Sequence, residues 1–170
     1  MKNFNNIYFC GFMGCGKTTI GQKLALRLDC DYADLDKVIV LKANMSIPDI
    51  FKNFGEKYFR DLETDCLNEL SKKDSTIIST GGGAFMKEEN INICKASGSI
   101  VYLNLSFEDC YTRIKNDSNR PIVMEKTKEE LKNLYNMRAM IYKNNCDFEV
   151  DAKSSPTKIC EKIQSHYFGG

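Results

Sequence analysis

Apolar positions along the chain fall into two alternating patterns. Short runs rich in β-branched and aromatic residues, Ile7–Cys10, Thr76–Ser79, Ser99–Leu103 and Asp147–Val150, have the length and composition of buried strands. Longer stretches carry apolar residues at helical spacing. They are marked by Ile20, Leu24 and Leu28, by Phe59, Leu62, Cys66 and Leu70, and by Leu131, Leu134, Met137 and Ile141. The segment Ala33-Asp34-Leu35-Asp36 reads as the end of one more short strand. Strands alternating with helices predict an α/β fold built of βαβ units, a parallel β-sheet of about five strands flanked by helices on both faces.

No repeat or low-complexity block interrupts this alternation, and the chain has only 3 Pro. The most loop-like stretch is Lys115-Asn116-Asp117-Ser118-Asn119-Arg120-Pro121, polar and rich in turn formers. An interdomain linker has the same look. The ~50 residues beyond it, however, offer one predicted strand and two helices, too little for a second core. The expectation is one domain over residues 1–170, with a mobile lid at about 113–126. A chain near 150 residues buries roughly 70% of its unfolded surface, so this core needs no metal or disulfide.

Composition narrows the function. Lys+Arg total 24 against 23 Asp+Glu, for a net charge of +1. That balance argues against a protein that coats nucleic acid or an anionic membrane, yet leaves room for a local cationic site. Of the 24 cations only five are Arg, at 27, 60, 113, 120 and 138. Arginine presents a planar fork that matches carboxylate or phosphate, so each position is informative. The 8 Cys contain no C-x-x-C pair and the single His is His166, a pattern that fits reduced, buried thiols better than zinc ligation. No apolar run approaches the ~20 residues of a membrane span, and the first residues lack the apolar core of a secretory signal. A cytoplasmic protein, by default a monomer without an obligate protein partner, is expected.

Gly11-Phe12-Met13-Gly14-Cys15-Gly16-Lys17-Thr18 matches G-x-x-x-x-G-K-[ST] and lies between a predicted strand and a predicted helix. In such a loop glycines let backbone N–H groups turn inward onto phosphate oxygens, and the helix N-terminus adds its dipole. Lys17 is placed to reach the β- and γ-phosphates of a nucleoside triphosphate, and Thr18 to ligate Mg²⁺.

Three features bear on the phosphoryl acceptor. Asp34 and Asp36, at period-two spacing on a strand edge, would project the same way, one toward Mg²⁺ and one toward a hydroxyl; an acidic helix start with an Asp cap is the alternative. Gly81-Gly82-Gly83 follows the Thr76–Ser79 strand, where bare backbone approaches a ligand closely, although a tight turn is the plainer reading. Arg120, next to Pro121, either swings over the phosphates on a lid or is a solvated loop residue.

In this order the motifs resemble those of the shikimate kinases, small P-loop kinases of the nucleoside-monophosphate-kinase fold. The matching stretches are Gly11–Thr19, Asp34-Leu35-Asp36, Gly55-Glu56-Lys57-Tyr58-Phe59-Arg60, Gly81-Gly82-Gly83-Ala84, Arg120-Pro121 and Met137-Arg138-Ala139. They span nearly the whole chain. The Walker loop is common to many families, whereas the remainder of the set is specific.

The resemblance implies transfer of phosphate from ATP, with one Mg²⁺, to the 3-hydroxyl of shikimate, giving shikimate 3-phosphate in aromatic amino-acid (chorismate) biosynthesis. It implies that Gly14, Cys15, Gly16, Lys17, Thr18 and Thr19 hold ATP together with Arg113 and Arg120, and that Asp34 supports the Mg²⁺ bound by Thr18. Asp36 is the implied base, with Arg60 and Arg138 on the acceptor carboxylate and Gly81, Gly82 and Gly83 against its ring. Lys17, Asp36 and Arg120 form the implied catalytic set, within an acceptor region at about 33–63. Glu63 is one helical turn from Arg60, close enough to brace it. Two competing readings are a gluconate or nucleoside-monophosphate kinase and an inactive nucleotide-binding module.

Overall fold

The computed structural model of the protein describes residues 4–117 and 121–169. Five strands, β1 (Asn6–Cys10), β2 (Asp31–Asp34), β3 (Thr76–Ser79), β4 (Gly98–Asn104) and β5 (Phe148–Asp151), form one parallel sheet in the order β2-β3-β1-β4-β5. The helices are α1 (Lys17–Leu28), α2 (Leu35–Ala43), α3 (Ile47–Leu70), α4 (Glu88–Ser97), α5 (Phe107–Ile114), α6 (Pro121–Glu125), α7 (Lys128–Asn145) and α8 (Pro156–Phe168).

Side chains alternate across the sheet and build a core on each face. Ile7 and Phe9 of β1 join Ile77, Val101 and Leu103 beneath Ile20 and Leu24 of α1 and Ile159 and Ile163 of α8. Tyr8 and Cys10 point the other way, with Ile78, Ile100 and Tyr102, against Leu35, Ile39, Ile50, Leu67 and Tyr142. All eight cysteines are free thiols, and six are buried. No helix among the described residues is long and apolar enough to cross a membrane.

The sheet order puts β1 between two strands reached by crossovers, so a crevice opens at its carboxyl end. The Gly11–Thr18 loop lies in that crevice.

The structure departs from the sequence pattern in three places. Asp36 is not on a strand: ladder pairing ends at Asp34 opposite Ser79, and Asp36 stands in the first turn of α2. Asp34 is the helix cap, accepting a bond from the Lys37 N–H at 3.4 Å. A carboxylate at either position gains from the helix dipole, and this outweighs continuation of a strand. On α7 the buried face is Leu131, Arg138 and Tyr142, while Met137, placed on the predicted apolar stripe, is half exposed. Finally, the stretch beyond the polar loop forms three helices rather than two, because Pro121 opens the short α6.

Candidate active site

The Gly11–Thr18 loop is shaped by residues that only glycine replaces easily. Gly16 precedes α1 with φ 103°, and Gly14 has φ 81°. A side chain on Gly14 would also strike Ile114 at 2.8 Å. Cys15 is buried, so what it offers a ligand is its backbone. Lys17 Nζ donates to the carbonyls of Gly11 (2.7 Å) and Phe12 (3.2 Å), which holds its ammonium over the loop. From α5, Arg113 reaches back to donate to the Gly14 carbonyl at 2.9 Å. Ser79 and Thr80, which carried no sequence signal, anchor the neighbouring strand end. Ser79 donates to the Lys17 carbonyl at 3.0 Å and Thr80 to that of Phe9 at 2.8 Å.

Gly14, Gly16, Lys17, Ser79, Thr80 and Arg113 line a cleft of about 310 Å³ together with Thr18, Thr19, Asp34, Asp36, Gly81 and Gly82. Asp34 and Asp36 thus reach the same cleft, one from an extended cap position and one from the first helical turn. Thr18 Oγ1 donates to Asp34 Oδ2 at 3.0 Å, and the Tyr32 hydroxyl supports the same oxygen at 3.4 Å. No group of three or more His, Cys, Asp or Glu side chains among the described residues is arranged to hold a metal ion. A hydroxyl beside one carboxylate suits Mg²⁺, which keeps most of its waters and phosphate ligands, and suits a thiophilic metal poorly.

At the other end of the cleft the three glycines make room for charge. A side-chain carbon on Gly81 would come within 2.8 Å of Asp36 Oδ1 and 3.2 Å of Glu63 Oε1. On Gly82 it would sit 3.3 Å from Arg138 Nη1, and on Gly83 2.6 Å from Arg60 Nη2. The run of three therefore leaves room for four charged groups, more than a turn needs. Arg60 pairs with Glu63, Nη1 to Oε2 at 2.8 Å, and its Nε lies 3.5 Å from Glu56. Burial raises the Glu63 carboxyl above the ordinary carboxylate range, and the Arg60 charge partly offsets this.

Arg138 differs from Arg60. It is only 7% exposed, has no ion pair among the described residues, and its Nε has no hydrogen-bond partner. Burial lowers its proton affinity, as does the nearby Arg60 charge. An unpaired buried guanidinium is costly, and an anion bound between the two arginines removes that cost. Sequence reasoning did not single out Tyr142, one turn beyond Arg138, whose buried hydroxyl donates to the Gly82 carbonyl. Its i,i+4 spacing from Arg138 was the available signal. Arg120 lies outside the described residues.

Known proteins resemble this chain over nearly its whole length. The sequence model of the shikimate kinase family matches residues 13–167. A shikimate kinase of Caldicellulosiruptor saccharolyticus is 41% identical over 164 residues, covering 94% of each chain. Among solved structures, the shikimate kinase from Acinetobacter baumannii in complex with shikimate superposes with a TM-score of 0.89 at 34% identity, over 97% of this chain and 96% of that one. A gluconokinase from Sinorhizobium meliloti 1021 shares the fold alone, at TM-score 0.59 and 12% identity over 93% of this chain and 88% of its own. With its phosphate loop, its paired arginines and near full-length likeness to these enzymes, the chain belongs to the shikimate kinase family, phosphotransferases that phosphorylate shikimate in aromatic amino-acid biosynthesis.

Proposed function

We propose that this chain transfers the γ-phosphoryl group of ATP to the 3-hydroxyl of shikimate in the cytoplasm, as a monomer and with one Mg²⁺. The observation that carries the acceptor assignment is Arg138, buried close to the Arg60 charge and with no ion pair among the described residues. Shikimate ends in a carboxylate, and a planar fork is the matching receptor. Gly81, Gly82 and Gly83 let the ring lie against bare backbone between the arginines and Asp36.

In the reaction the acceptor oxygen bonds to the γ-phosphorus, the bond to the β,γ-bridging oxygen breaks, and the hydroxyl proton passes to Asp36. Phosphoryl transfer of this kind needs little covalent help: alignment and neutralisation of charge do most of the work. Gly14, Cys15 and Gly16 cradle phosphate oxygens through their backbone, with Thr19 beside them. Lys17 exchanges its loop carbonyls for the β- and γ-phosphates, and Arg113 steadies the nucleotide side of the loop. Mg²⁺ bound with ATP would supply charge neutralisation; Thr18 would ligate it directly and Asp34 would hold its shell. Arg120, on a lid at about 113–126, covers the phosphates and excludes water. All these parts lie on one domain spanning residues 1–170, with the acceptor region at about 33–63, and require no nucleic acid, membrane or protein partner.

The test is ADP release from ATP and Mg²⁺ with shikimate, gluconate or a nucleoside monophosphate offered as acceptor. Turnover only with shikimate is expected. A preference for gluconate or a nucleotide would refute the acceptor assignment, and background rates with all three would refute the activity.

A further inference from the structure

Tyr142 connects the two halves of the acceptor site, and we infer that it is a positioning residue for shikimate binding. The inference rests on the acceptor reading above. Its ring is buried at 1% exposure, packed 5.4 Å from Tyr102 and 6.4 Å from Phe85 between ring centroids. Burial pushes the phenol well above its ordinary range, so the hydroxyl remains a neutral donor at any physiological pH. Its acceptor is the Gly82 carbonyl.

A run of three glycines has no side chains with which to pack, so its shape depends on where its carbonyls are bound. The Gly81 carbonyl accepts from the Ala84 N–H and the Gly83 carbonyl from the Met86 N–H, each at 3.1 Å, both within the same local turn. The middle carbonyl, that of Gly82, is held from another element, α7. Because a peptide unit is planar and trans, holding this carbonyl also sets the direction of the Gly83 N–H on its opposite edge. A side-chain carbon added at Gly82 would meet the Arg138 guanidinium, and one at Gly83 that of Arg60. Tyr142 and Arg138 stand one turn apart on the same face of α7. One hydroxyl therefore joins the loop to the helix that carries the buried arginine, and keeps the two arginines and the bare backbone in a single register.

Tyr142→Phe removes only this donor and keeps the ring. Its shikimate KM, and the shikimate dissociation constant by calorimetry without nucleotide, should rise about tenfold, the scale of one lost buried hydrogen bond. The ATP KM should stay within about twofold. Tyr102→Phe is the control: another buried tyrosine, whose hydroxyl donates instead to Asn104 Oδ1 at 3.3 Å. It should leave both KM values unchanged. An unchanged shikimate KM in Tyr142→Phe, an equal rise for ATP, or the same rise in Tyr102→Phe would each overturn the positioning role while leaving the activity standing. Wild-type enzyme inert toward shikimate would overturn the acceptor reading and this role with it. Deuterium uptake across residues 81–86 of the wild type needs no variant: slow exchange before shikimate is added is expected. Fast exchange that slows only with shikimate would contradict a loop already held by Tyr142.

Discussion

Arg60 and Glu63 face one another across a single turn of α3, the guanidinium Nη1 lying 2.8 Å from Oε2 of a carboxylate that is 1% exposed. The pair holds the Arg60 guanidinium beside the glycine loop 81–83, and a second carboxylate, Asp36, together with Arg138 contributes to the same field. Glu63→Gln keeps the shape and weakens the hold, so the shikimate KM should rise about tenfold with little change in that for ATP.

The same substitution has a pH signature. The folded-state pKa of Glu63 is raised above 4.5, chiefly by burial, so the folded protein binds this proton more tightly than the unfolded chain does. The resulting stability is present at low pH and is lost as pH rises from about 4.5 through the raised value. Gln has no such titration. Thermal unfolding between about pH 4 and pH 8 should show the wild type losing stability relative to Glu63→Gln as pH increases. A constant difference, or one of opposite slope, contradicts the assignment.

Arg138→Met separates binding from stability. The buried guanidinium is unpaired among the described residues and lies near a second cation, so a flexible apolar side chain of similar length relieves both penalties. The melting temperature should hold or rise, while the shikimate KM increases by about a hundredfold or more. A lowered melting temperature with an unchanged shikimate KM would show that Arg138 serves the core.

Gly83→Ala acts on Arg60 from the opposite side. The added carbon would fall 2.6 Å from Arg60 Nη2 and 2.8 Å from Nη1, the far end of a flexible side chain, so the guanidinium shifts and the backbone stays. The expected outcome is a shikimate KM raised about tenfold with a melting temperature within a few degrees of wild type. An unaltered KM would mean that Arg60 does not touch the acceptor.

Asp34→Asn probes the metal side. Asn caps a helix as well as Asp does, so α2 should survive, whereas the charge beside Thr18 disappears. The half-saturating Mg²⁺ concentration should rise about tenfold, both for turnover and for Mg²⁺-dependent nucleotide binding measured by calorimetry. Unchanged Mg²⁺ dependence would place the ion away from Asp34.

Local pattern was sufficient for much of the architecture. The apolar runs at Ile7–Cys10, Thr76–Ser79 and Ser99–Leu103 are strands because continuous burial on both faces of a parallel sheet leaves that signature. The Gly11–Thr18 motif was legible because backbone wrapping around phosphate dictates both its composition and its spacing. Asp36 lines the cleft from the first turn of α2 and not from a strand end, since a two-residue interval reads alike at either.

What the sequence determined by itself, then, is the alternation of strands and helices, the phosphate loop and the few arginines worth locating. Each depends on neighbours in the chain or on residue chemistry alone. Tertiary structure decided that Arg138 rather than Met137 turns inward, that Gly81, Gly82 and Gly83 clear space for four charged side chains, and that Tyr142 holds their loop. Those facts join residues about 20 to 80 positions apart, and burial, steric exclusion and hydrogen bonding across such separations exist only once the elements have packed.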